Sequence, residues 1–168
     1  ATLMLLPDVD VSVDWDYEGP VPGCPHGAGA THHYDRINGV CPNEPDGNAS
    51  YIASVGVGPD YDVYSVQDSS LNANTVIVSL MAFAWARDNS TTGTFILNVS
   101  DTSGECASGA WPTLGQAYIN KTVSWVDSCN DDAWTVADID GLILVLGMAG
   151  GSPVTATYAG VIVNYQTD

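Results

Sequence analysis

Positive charge is nearly missing from this chain: one lysine and two arginines stand against 20 acidic residues among 168, a formal charge of −17. A surface so acidic offers nothing to a phosphate backbone or an anionic bilayer, so neither nucleic acid nor membrane is an expected partner. Long apolar runs are missing too, and none approaches the roughly 18 residues of a spanning helix. Helical periodicity is almost absent. So are the signatures of common chemistries. There is no G-x-S-x-G elbow, no H-E-x-x-H and no D-x-D-x-D-G calcium loop, and Gly56-Val57-Gly58-Pro59 lacks the helix that a nucleotide site needs. These absences lead to the expectation of a protein that is not an enzyme, with no catalytic residues, no cofactor and no resident metal.

What is present is a folding composition. Hydrophobic residues make up 45% of the chain and charged ones only 14%, unlike the sparse-hydrophobe balance of a disordered segment. The length suits one domain with a sizeable core. Ala1 opens the chain with no basic segment before it, the form expected after leader removal or trimming.

Cys24, Cys41, Cys106 and Cys129 fall into two local groups within Gly-, Pro- and Asp-rich segments. That grouping suggests bridges Cys24–Cys41 and Cys106–Cys129, although a cross-pairing would serve if the two loops were adjacent. Bridges imply an oxidising compartment, hence an extracellular location. Four sequons, at Asn48, Asn89, Asn98 and Asn120, point the same way as candidate glycosylation sites. Asn98 alternates with Leu97 and Val99, which places it on the outer face of a strand, as a glycan acceptor or as an ordinary polar residue.

Period-two alternation and β-branched runs recur between turn signals, so the chain reads as all-β. Residues 9–17 alternate strictly, with Val9, Val11, Val13, Trp15 and Tyr17 expected on a buried face. Residues 18–50 form a long irregular stretch for the first bridge to support. Strands are expected near 50–56 and 62–67, centrally at 75–86, and at 93–100, 116–126, 142–148 and 154–166. Asp131 to Gly141 reads as one helical turn with an aspartate cap. About nine strands suggest a two-sheet β-sandwich, Ig-like or jelly-roll.

Several clusters hold side chains capable of chemistry. Cys24, His26, His32, His33 and Cys41 have zinc-like ligands but no zinc-like spacing, which favours a bridged loop. Acidic pairs such as Asp60/Asp62 and Asp138/Asp140 are too numerous to single out a glycosidase pair or a calcium site, and a solvated acidic face accounts for them. Five tryptophans and eight tyrosines could furnish a sugar-stacking platform. Trp85 and Trp134 lie in apolar contexts that suggest core, and Trp111, in Gly109-Ala110-Trp111-Pro112, is the best candidate for an exposed ring.

The first segment, Ala1-Thr2-Leu3-Met4-Leu5-Leu6, has five apolar residues in six and ends at Pro7. By sequence physics alone it is an ordinary first strand, though a swinging connection would let it complete a neighbour's sheet. Together with His33-Tyr34-Asp35-Arg36-Ile37, Pro45-Asp46-Gly47-Asn48-Ala49-Ser50-Tyr51-Ile52, Ala133 to Leu142 and the closing strand Tyr158 to Tyr165, this segment resembles a broad group of jelly-roll or Ig-like surface proteins. It is also similar to subunits of pilus-like environmental fibrils assembled by donor-strand exchange. That resemblance implies residues 1–7 as a donor strand, 8–168 as the β-sandwich it completes in another copy, and a structural subunit of a cell-surface filament, a helical homopolymer. The alternative is a carbohydrate-binding or adhesive β-sandwich, as in a phage fibre.

Overall fold

The computed structural model describes residues 1–18, 51–54, 59–88, 93–150 and 153–166. Among them the chain forms twelve strands and one short helix: β1 Thr2–Leu5, β2 Pro7–Val13, β3 Asp16–Glu18, β4 Tyr51–Ala53, β5 Asp60–Val66, β6 Val76–Asp88, β7 Thr94–Asp101, β8 Gly104–Glu105, β9 Gly109–Trp111, β10 Ile119–Trp125, α1 Val136–Asp140, β11 Ile143–Ala149 and β12 Val154–Gln166. Two antiparallel sheets face each other. The first runs β10-β6-β12-β4-β3, with β1 also on β12; the second runs β2-β5-β11-β7-β8, with β9 also on β7.

Period-two alternation builds the core between them. The second sheet points Phe95, Leu97 and Val99 of β7 and Leu144, Leu146 and Met148 of β11 inward, all fully buried. Small residues meet them from the first sheet: Ala82, Ala84 and Ala86 of β6 and Ala156 and Ala159 of β12, with Val161 and Val163 filling the remaining space. Large against small lets the layers interdigitate at native density. Each fully buried large side chain contributes about 1.5–3 kcal/mol.

Helix α1 is capped by Thr135 rather than by an aspartate at its start. The Thr135 side chain accepts the Asp138 N–H at 3.2 Å, and the Asp138 carboxylate accepts the Thr135 N–H at 2.9 Å. Asp140 then accepts the Ser69 N–H at 2.8 Å and its hydroxyl at 2.6 Å, tying the helix to the loop after β5.

One expectation is corrected here: the valines of β2 are exposed, at 52% for Val9, 57% for Val11 and 46% for Val13. Pro7 pairs with Val66 but Val9 with Ser65, and Asp10 pairs with Tyr64 but Ser12 with Val63, so Asp8 and Val11 are both extra residues. The first shift sets Val9 beside the outward Ser65, and the second brings Val13 opposite the inward Asp62, where the open edge of the sheet leaves it exposed.

Ala1 to Leu6, expected as a donor strand, pairs with its own chain's sheet in this single chain. Thr2 pairs with Asn164 and Leu5 with Val161, and the Ala1 ammonium donates to the Tyr165 carbonyl at 2.7 Å. Leu5 is 2% exposed, Leu3 packs against the core, and Met4 faces outward. A Cβ at Gly160 would stand 2.9 Å from the Leu5 carbonyl oxygen, so glycine lets β1 close on β12. Leu6 then carries the chain across to Pro7 in the other sheet, its carbonyl accepting the Gln67 N–H at 3.0 Å. The strand's groove is filled in cis.

Candidate ligand-binding face

The outer face of the second sheet forms a trench of about 590 Å³ that crosses all five of its main strands. Pairing register aligns the floor in rows. Tyr61, Gly147 and Ile96 lie side by side, as do Val63, Val145 and Asn98, then Ser65, Ile143 and Ser100. Ser12 and Asp14 close one margin and Glu105 and Ser108 the other. Four interstrand steps of roughly 4.8 Å make the trench about 19 Å wide, room for several sugar rings.

Tyr61 is the aromatic element. A Cβ built on Gly147 would stand 2.7 Å from the Tyr61 ring carbons, so the ring lies across the glycine backbone in space that any other residue would fill. At 36% exposure it remains open to the trench. Its backbone N–H is accepted by the Asp14 carboxylate at 3.3 Å.

Beneath this corner, the fully buried Asp62 accepts the N–H groups of Asp14 at 2.8 Å and Trp15 at 2.9 Å, and the Tyr64 hydroxyl at 2.8 Å. Burial, followed by the charge of Asp62 and its hydrogen bond, pushes the Tyr64 phenol well above its ordinary range. These buried bonds fix the chain where β2 ends and set Asp14 over Tyr61.

The other margin is a short hairpin held by two devices. Cys106 and Cys129 form a disulfide. The Asp101 carboxylate accepts N–H groups of Ser103 at 2.7 Å, Gly104 at 3.1 Å and Cys129 at 3.0 Å, as well as the Ser103 hydroxyl. Burial raises its pKa, but those bonds together outweigh burial and hold it below the usual carboxylate range.

Trp111 is not the open ring. It stacks on the core residue Phe95 at 5.8 Å between centroids, with the Lys121 ammonium 5.7 Å from its own centroid, on the inner side of β9. Trp134 is buried as expected, whereas Trp85 is half-buried, its neighbours Ala84 and Ala86 taking the core face of β6. Asn98 does face outward, but at 8% exposure it sits in the trench floor, its Oδ1 accepting the Val99 N–H at 2.8 Å. Asn120 is exposed on the edge strand β10. Cys24, Cys41, Asn48, Asn89 and the three histidines lie outside the described residues. Among the described residues no three His, Cys, Asp or Glu side chains gather as a metal site.

Fold and face together define a jelly-roll β-sandwich. No protein-family model matches the chain, and no curated protein matches it. Solved structures do match. The chain is similar to the C-terminal CBM6 of LamC, a marine laminarinase from Zobellia galactanivorans, with TM-score 0.50 and 10% identity over 98% of this chain and 99% of that one. It also aligns with a carbohydrate-binding module of lichenase 5A from Cellvibrio mixtus, solved with cellotriose, with TM-score 0.47 and 11% identity over 100% and 98% of the two chains.

Proposed function

We propose that this domain is a non-catalytic carbohydrate-binding β-sandwich, acting outside the cell, whose glycan site is the trench on the second sheet. The observation that carries the reading is Tyr61 laid across Gly147 in a trench whose rims are polar and acidic. A pyranose presents axial C–H groups to a flat ring and hydroxyls around its edge. An aromatic floor bordered by Ser12, Asp14, Asn98, Ser100, Glu105 and Ser108 matches both. The LamC module shares the fold, and its name describes carbohydrate binding, which agrees with this chemistry. The disulfide supports an extracellular setting.

The test is a glycan array probed with the wild type and Tyr61→Ala. Wild type is expected to retain a defined set of oligosaccharides that the variant loses, with both proteins melting alike. Retention unchanged in the variant would remove the trench from the account.

A second reading keeps the filament, with β1 exchanged between copies. It is favoured by β1 being a short apolar strand whose sole pairing partner among the described residues is β12. Such a protein would be a homopolymer in solution.

A further inference from the structure

The trench has a charge character as well as a shape. Asp14 and Glu105, both exposed, stand on its opposite margins, and among the described residues no lysine, arginine or histidine lines it. The cations among the described residues are engaged away from it: the Arg87 guanidinium lies 5.0 Å from the Tyr118 ring centroid, Lys121 lies over Trp111, and the Ala1 ammonium donates to the Tyr165 carbonyl. Between the two carboxylates the floor is apolar, with Val63, Val145, Ile143 and Ile96 half-buried. A low-dielectric floor focuses the field of the rims, and the chain's net charge of −17 adds to it.

Resting on the carbohydrate-binding reading, we infer that the trench selects glycans carrying free, protonated amino sugars and rejects chains bearing uronate or sulfate groups. A sugar ammonium donates three hydrogens and meets an acceptor-only carboxylate at either margin. A uronate there meets like charge with no cation among the described residues to offset it.

The experiment is titration calorimetry of the intact protein with three probes of matched length: fully deacetylated glucosamine oligomers, their N-acetylated counterparts and oligogalacturonate, at low and high salt. Each exposed carboxylate is expected to contribute roughly two- to fivefold in affinity at low salt. The amine preference should vanish in Asp14→Asn/Glu105→Gln, which keeps size and hydrogen bonding, and should survive in Asp131→Asn. Asp131 is exposed, outside the trench, at a positive φ of 66° that asparagine tolerates, so it controls for general charge. Equal weakening by Asp131→Asn, or galacturonate binding as tightly as the amine, would overturn the inference. If neutral oligomers bind through Tyr61 with no amine preference, charge selection alone falls; if no probe binds through Tyr61, the carbohydrate reading falls with it.

Discussion

Asp62 shows how one residue under the floor sets the geometry above it. Its carboxylate is the acceptor for two backbone N–H groups and a phenol, all in a corner closed to solvent. Asp62→Ala would orphan those donors, and we expect a loss of about 2–4 kcal/mol in urea unfolding. Tyr64 adds a pH signature. Its folded pKa is raised, so the stability it contributes is fully present below the ordinary tyrosine value near 10 and declines as pH climbs through the folded value. Alkaline titration read at the phenolate absorbance should show one tyrosine ionising late, together with unfolding. A Tyr64 that titrates with the exposed tyrosines would contradict the buried pair.

At the scale of elements, the second sheet's far margin depends on the Cys106–Cys129 bridge, whose members are 23 residues apart. Reduction is expected to cost about 3 kcal/mol by the chain-entropy argument, measurable as a shifted denaturation midpoint with and without reductant. Asp101 supports the same hairpin with the opposite pH sense to Tyr64. Its folded pKa is lowered, so its contribution is present above the ordinary aspartate value and lost as pH falls through the depressed one. The stability difference between wild type and Asp101→Asn should therefore shrink in acid.

Elements were the legible level of this sequence. Alternation and turn residues located the long strands β6, β7, β11 and β12, and the grouping of cysteines gave the 106–129 bridge. Parity was harder to read. In β2 two extra residues, Asp8 and Val11, break the pairing register, which no alternation rule contains. In β5 the buried carboxylate of Asp62 occupies an inward position and turns Tyr61 outward, the reverse of what polarity suggests. Trp111 looked exposed beside Gly109 and Pro112, yet edge pairing with β7 brings it onto Phe95. Gly147 within an apolar strand is the sequence's signal for the trench, since a strand glycine marks close approach of another group, here the Tyr61 ring.

For the whole molecule, the question is whether the sandwich is complete alone. β1 fills its own groove, burying Leu5 and exchanging backbone bonds between Ala1 and Tyr165. Removing Ala1 to Leu5 should destabilise a monomer by at least the roughly 1.5–3 kcal/mol of one buried leucine, without altering the oligomeric state seen in sedimentation. Full-length filaments that the truncation abolishes, with added strand peptide binding the truncated monomer, would restore the donor-strand reading.

The central claim is that glycans bind across the second sheet, and amide chemical-shift mapping tests it most directly. A retained oligosaccharide titrated into labelled protein should perturb Tyr61, Val63, Asn98, Val145 and Gly147 first, leaving β6, β10 and β12 unmoved. Perturbations gathered on the outer face of the first sheet, or none anywhere for a glycan that is retained, would contradict it.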